Sequence, residues 1–76
     1  MTTNTEPKNK KLIQKIGKRI SILREVRGFS QEKFSEYVQI SLEDLEQYEK
    51  GSKAMTIDEL AIIASALEIG GFHFFL

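Results

Sequence analysis

Apolar residues recur at helical spacing in four separate stretches of the chain. The first stretch consists of Ile13, Ile16, Ile20 and Leu23. Their intervals of three and four predict an amphipathic helix that begins near Leu12 and is ended by Gly28. The preceding residues 1–11 are polar and have no period, so they are predicted to form a flexible basic arm, with residues 12–76 as a single domain.

A second helix is predicted over residues 31–38. Ser30 is a suitable N-cap, and Phe34 and Val38 lie four residues apart on the inner face. Gln39 comes directly after this helix, where the chain must turn. If Gln39 adopts a left-handed conformation, the strain costs roughly 1–2 kcal/mol relative to glycine.

A third helix is predicted over residues 42–50, with Ser41 as its N-cap and Gly51 at its end. Leu45 and Tyr48 form its inward pair. Because only three residues separate it from the second helix, the two helices cannot continue as one rod. They are expected to cross at a steep angle.

The fourth helix begins at a capping box formed by Thr56 and Glu59. Its predicted inward stripe consists of Ile57, Leu60, Ile63, Ala64 and Leu67. Gly70 and Gly71 are expected to end it, and the apolar residues 72–76 are predicted to form one turn of a fifth helix. The pattern therefore predicts an all-α domain of four to five short helices.

Composition narrows the class of protein. The 76 residues contain no cysteine and one histidine, so neither a disulfide, a thiolate metal site nor a catalytic triad is expected. The longest apolar runs are far shorter than a membrane span. These observations predict a cytoplasmic protein that is not an enzyme and that binds no cofactor, metal or small molecule.

The net charge is zero, but the charges are separated along the chain. Residues 1–27 carry eight basic and two acidic side chains, whereas residues 28–76 carry three basic and nine acidic ones. The basic end is suited to contact phosphate. The same charge distribution is also explained without any ligand, by a solvated tail and a solvated helix face.

The segment from Phe29 to Gly51 resembles the phage repressor and Cro (XRE-like) family of helix-turn-helix regulators. The matching features are Arg24, Gly28, Ser30-Gln31-Glu32, Ile40-Ser41, Glu49-x-Gly51 and the helix start Thr56-Ile57-Asp58-Glu59-Leu60. The resemblance extends from about Ile16 to Ile69 and implies a lambda-repressor-like DNA-binding domain. It also implies a role as a repressor-like transcriptional regulator whose recognition helix, residues 42–50, enters the major groove.

The resemblance implies a set of contacts to double-stranded DNA. The residues at base-reading positions are Gln31, Leu42, Glu43 and Gln47. The residues at backbone-contact positions are Ser30, Lys33, Ser41, Lys50, Ser52 and Lys53. Arg24 and Glu49 are implied to form a structural ion pair between the first and third helices.

The predicted recognition helix departs from the family pattern in its charge. It carries four acidic side chains, Glu43, Asp44, Glu46 and Glu49, against Lys50 alone. A carboxylate in a DNA groove is repelled by phosphate unless it meets a base donor. An alternative therefore stays open, in which this acidic helix makes the domain a protein-interaction module, antitoxin-like or an anti-regulator.

Apolar residues near the C-terminus are expected to form a homodimer interface. They are Ile69, Phe72, Phe74, Phe75 and Leu76. Some of them are expected to fold back on the first and fourth helices instead. The chain is also consistent with a fragment of a longer regulator.

Overall fold

The computed structural model describes residues 6–67 and, among these, the side chains from residue 10 onward. It contains four helices in this range: α1 (Glu6–Val26), α2 (Gln31–Val38), α3 (Leu42–Lys50) and α4 (Ile57–Ala66). The all-α prediction is confirmed. The predicted fifth helix and the proposed interface residues Ile69, Phe72, Phe74, Phe75 and Leu76 lie outside the described residues.

The first helix begins at Glu6 and not at Leu12, so residues 6–11 of the predicted arm are helical. Apart from Pro7 these residues are polar, so hydrophobic periodicity could not detect them. Lysine and glutamate nevertheless favour helix, and Pro7 is tolerated because it lies in the first turn, where backbone N–H groups have no helical partner. None of the helices within residues 6–67 combines the length and apolarity that crossing a bilayer requires.

The end of α1 is built around Gly28, as predicted. Gly28 has a φ of 85°, and its N–H donates to the carbonyl of Glu25 at 2.9 Å. The N–H of Phe29 reaches back to the carbonyl of Arg24 at 3.0 Å. This pair of bonds is a Schellman motif, which satisfies the last carbonyls of α1 and turns the chain toward α2.

Both predicted serine caps are present. The hydroxyl of Ser30 accepts from the N–H of Lys33, and that of Ser41 accepts from the N–H of Asp44, each at 3.1 Å. Between the two helices, Gln39 has φ 59° and ψ 40°, which confirms the left-handed conformation considered for it. The turn is therefore strained at a residue that carries a side chain.

The helices enclose one apolar core. Its buried members are Ile20, Phe34, Val38, Ile40, Leu45, Tyr48, Leu60, Ile63, Ala64 and Leu67. α1 packs against α3, and α2 packs against both α3 and α4. Ile57 was wrongly assigned to the inward stripe of α4, since 76% of it is exposed. As the first helical residue it points back over the N-terminal end of α4, beyond the core.

Two glycines allow α1 to lie directly against the C-terminal end of α3. A Cβ at Gly17 would stand 2.1 Å from the carbonyl oxygen of Tyr48 and 2.9 Å from that of Glu49. A Cβ at Gly51, which caps α3 with a φ of 77°, would stand 2.6 Å from the Cα of Gln14. These contacts fix the position of α3 relative to α1.

Candidate nucleic-acid interface

α3 has one buried face and one outward face. Leu45 and Tyr48 are buried in the core. Glu43, Gln47 and Lys50 follow one another at spacings of four and three, which places them together on the opposite side of the helix. Glu43 and Lys50 are exposed and Gln47 is partly exposed, so this outward stripe is available to a ligand.

The C-terminal half of α3 is held by a buried ion pair. Arg24 Nε donates to Glu49 Oε2 at 2.8 Å, and Arg24 Nη2 donates to Glu49 Oε1 at 3.1 Å. Arg24 Nη1 donates to the carbonyl oxygen of Phe29 at 2.6 Å. The side chains of Arg24 and Glu49 are only 7% and 5% exposed. This geometry is bidentate and joins α1, the loop after it and α3.

Gln31, the first residue of α2, joins the same network. Its Nε2 donates to Glu49 Oε1 at 2.9 Å. One of the two hydrogens on this amide nitrogen is therefore already bonded, and the second has no acceptor among the described residues. The side-chain oxygen has no donor among the described residues, and an amide oxygen can accept only from a donor such as a base amino group.

A second ion pair lies on the surface at the other end of α3. Lys53 Nζ stands 2.8 Å from Asp44 Oδ1 and 5.8 Å from the centre of the Tyr48 ring. The hydrogen bond to Asp44 raises the pKa of Lys53 above its ordinary value. Lys53, a predicted phosphate contact, is thus bonded to an acid of the helix that it follows.

Tyr48 links α3 to the start of α4. Its hydroxyl donates to Glu59 Oε1 at 2.6 Å, and the N–H of Thr56 donates to the same oxygen at 3.1 Å. Burial and the neighbouring Glu59 carboxylate raise the pKa of Tyr48 to about 12. The hydrogen bond from Tyr48 and that from the Thr56 backbone lower the pKa of Glu59. The capping box of α4 is thereby connected to the core face of α3.

The remaining predicted contact residues lie around α3. Lys33, Lys50 and Ser52 are exposed, and Leu42 is partly buried. The Ser52 hydroxyl donates to the carbonyl oxygen of Gln47 at 3.3 Å. The hydroxyls of Ser30 and Ser41 serve as helix caps. The structure therefore gathers the predicted set at the N-terminal ends of α2 and α3, on the outward face of α3 and in the loop after it.

Sequence reasoning missed three features of this site. Gly17 was not singled out, although a glycine inside a helical pattern indicates close backbone approach. The bonds from Tyr48 to Glu59 and from Lys53 to Asp44 carry no local sequence signal, because each joins residues on different elements. Within the described residues, no group of three or more histidine, cysteine, aspartate or glutamate side chains is arranged to hold a metal ion.

Comparison with known proteins gives a family match and two relatives. A family model described as helix-turn-helix matches residues 20–72. The chain is 34% identical over 68 residues to an uncharacterized HTH-type transcriptional regulator of Rickettsia conorii, covering 84% of this chain and 54% of that protein. It is 32% identical over 68 residues to an uncharacterized HTH-type transcriptional regulator of Rickettsia prowazekii, covering 84% of this chain and 52% of that protein. The chain thus spans about half the length of these curated relatives. No solved structure matches the chain significantly.

Proposed function

The chain belongs to the helix-turn-helix family, and from this membership we propose that it is a transcriptional regulator that binds double-stranded DNA sequence-specifically through α3. Both relatives are named as HTH-type transcriptional regulators, which supports the same role for this chain. Because a regulator of this kind acts where the chromosome lies, we infer a cytoplasmic site of action.

The observation that carries this proposal is the outward stripe of α3. A major groove about 12 Å wide admits one helix, and α3 offers it Glu43, Gln47 and Lys50 while its other face is buried. α3 is also held rigidly, since Gly17 touches its last carbonyls and Arg24 binds Glu49. A helix fixed in this way can present its side chains to base edges without first being ordered.

The roles of individual base-contact residues follow from their chemistry. Gln47 is suited to pair bidentately with adenine, and Glu43 to accept from the amino group of cytosine. Leu42 is suited to contact a thymine methyl group. While Gln31 Nε2 remains bonded to Glu49, its second hydrogen is suited to donate to a phosphate or a base acceptor, and its amide oxygen to accept from a base amino group.

The negative charge that α3 presents to a ligand is smaller than its four acidic residues imply. Glu49 is neutralised by Arg24 inside the protein, and Asp44 is paired with Lys53. Glu43 and Glu46 are the two acids of α3 for which the described residues provide no ion pair. The helix therefore meets DNA with a charge closer to neutrality, which favours DNA binding over the protein-interaction alternative.

Contacts to the sugar-phosphate backbone are proposed for Lys33, Lys50, Ser52 and Lys53, which position the protein without specifying sequence. Ser30 and Ser41 stand beside these at helix N-termini, where free backbone N–H groups favour phosphate. Lys53 must exchange Asp44 for phosphate or bind both at once.

We further propose a homodimer that places two copies of α3 about 34 Å apart, one turn of DNA. Sedimentation of the full chain tests the proposed dimer, with a variant in which Phe74 and Phe75 are changed to serine measured under the same conditions. A monomeric wild type at micromolar concentration would refute the dimer.

Selection of bound sequences from a pool of random duplexes tests the main proposal. Wild-type protein should enrich a defined site, and Gln47→Ala should relax the preference at one position, with a cost of about 1–3 kcal/mol on the wild-type site. Ser65→Ala is the matched control, because Ser65 lies on α4 in the groove facing α2 and away from α3. Failure of wild-type protein to enrich any sequence, or equal effects of the two variants, would contradict the proposal.

A further inference from the structure

A row of lysines flanks Gln14 on the exposed side of α1. Lys10 and Lys18 lie four residues before and after Gln14, and Lys11 lies three residues before it. Residues at these spacings are neighbours on a helix surface. All three lysines are exposed, and none has a hydrogen bond or ion pair with any described residue.

These lysines stand beside the end of α3. Gln14 is the residue that Gly51 touches, and Gly17, one turn further along α1, touches the carbonyls of Tyr48 and Glu49. The side of α1 that carries Gln14 therefore borders the loop formed by residues 51–53. Lys50 and Lys53 lie one position before and two positions after Gly51 in the sequence.

The positive charge of the α1 lysines complements the negative charge of a duplex better than the charge of α3 does. Duplex DNA carries one negative charge per roughly 1.7 Å of its axis. The outward stripe of α3 has one acid and one base, Glu43 and Lys50, and Lys53 is already bonded to Asp44. Unpaired cations on α1 supply the attraction that α3 lacks. They also precede residue 20, where the match to the family model begins.

We propose that Lys10, Lys11 and Lys18 form a second DNA-backbone contact, which binds phosphates flanking the base pairs that α3 reads. This inference rests on the proposed function and adds to it a surface outside the helix-turn-helix. The occupant is the phosphate backbone of a duplex, so the contact is indifferent to sequence and strengthens binding at every site.

Two variants of equal charge change separate this contact from a general loss of positive charge. Lys10→Gln with Lys18→Gln removes two cations within about 40° of Gln14 around the helix axis. Lys15→Gln with Arg19→Gln removes two exposed cations that lie about 100–140° away from it. Both pairs lie on α1 and both lower the net charge by two.

The measurement is fluorescence anisotropy of a labelled duplex of about two turns, titrated with the full chain from low to moderate salt. Each phosphate contact contributes about 0.9 to the slope of log affinity against log salt, so Lys10→Gln/Lys18→Gln should lower the slope by about two. The ratio of affinities between 50 and 200 mM salt should then shrink roughly tenfold. Lys15→Gln/Arg19→Gln should change the slope far less.

A third variant, Lys10→Arg with Lys18→Arg, keeps both charges and should retain the wild-type slope. Equal slopes for the two glutamine variants, with wild-type protein binding the duplex, would overturn this inference and leave the proposed function intact. Absence of binding by wild-type protein at low salt would overturn both. Thermal unfolding by circular dichroism checks that each variant is folded at the temperature of the titration.

Discussion

Two ion pairs of equal length but different burial allow the energetics of this fold to be tested directly. Arg24 and Glu49 approach to 2.8 Å with side chains 7% and 5% exposed. Lys53 and Asp44 also approach to 2.8 Å, with side chains 47% and 35% exposed. Distance alone predicts equal contributions, whereas desolvation predicts very different ones. The perturbation is Glu49→Gln, with Asp44→Asn as its exposed counterpart.

Glu49→Gln leaves the Arg24 guanidinium buried without its bidentate partner, since the remaining carboxylate, that of Glu25, is 70% exposed and lies 3.8 Å from Arg24 Nη2. Breaking one partner of a buried pair costs roughly 3–5 kcal/mol. Small domains are stable by about 5–15 kcal/mol in total, so this is a large share of the stability. It corresponds to a fall in melting temperature of roughly 12–40 °C for a domain of this size. Asp44→Asn should cost far less, because both side chains of this pair are exposed to water, which solvates the freed Lys53.

Urea unfolding followed by circular dichroism measures both costs under one condition. The double variant Arg24→Met with Glu49→Met, measured beside Arg24→Met alone and Glu49→Met alone, forms a double-mutant cycle. Because it leaves no uncompensated charge, it should be less destabilised than either single variant. Equal costs for Glu49→Gln and Asp44→Asn, or additive effects in the cycle, would refute the reasoning that burial and not distance determines the strength of these pairs.

Three further predictions concern backbone positions and a buried tyrosine. Gly17→Ala should lower the melting temperature, because its Cβ would stand 2.1 Å from the carbonyl oxygen of Tyr48. This loss should outweigh the roughly 1 kcal/mol by which alanine stabilises a helix relative to glycine. Gly28→Ala is the comparison: no atom lies within 4 Å of its Cβ, but its φ of 85° should cost about 1–2 kcal/mol of stability. A smaller loss for Gly17→Ala than for Gly28→Ala would be inconsistent with the close approach at Gly17. Gln39→Gly should stabilise the fold in urea by up to about 1 kcal/mol, because relief of the left-handed strain is partly offset by the greater freedom of glycine in the unfolded chain. A loss of stability would contradict that strain. Burial and the bond to Glu59 raise the pKa of Tyr48 from 10.0 to about 12, so its contribution to stability is complete below pH 10 and should be lost between pH 10 and 12. Tyr48→Phe should flatten this part of the stability profile, and an unchanged profile would contradict the raised pKa of Tyr48.

The sequence by itself determined where most elements begin and end. Ser30, Ser41 and Thr56 cap their helices, and Gly28 and Gly51 end theirs, because these signals act between residues only a few positions apart. The inward faces of α2 and α3 followed from periodicity for the same reason.

Tertiary structure decided how the charges are used. The acidity of α3 suggested a protein-interaction surface, but Glu49 forms an ion pair with Arg24 and Asp44 forms one with Lys53. The second pair joins residues nine positions apart on different elements, so no helical or turn spacing reports it. The same holds for Tyr48 and Glu59, eleven positions apart, whose bond depends on how α4 is placed against α3.

The start of α1 and the position of Ile57 show the limit of periodicity most clearly. Hydrophobic spacing detects a helix only where it meets the core, so it missed the polar turns from Glu6 and placed an exposed residue in the core of α4. The close approach at Gly17 belongs to the same class, because a backbone contact between α1 and α3 is visible only once both helices are in place. Local signals thus determined the four helices, and only their packing determined which of the described charged side chains pair with one another.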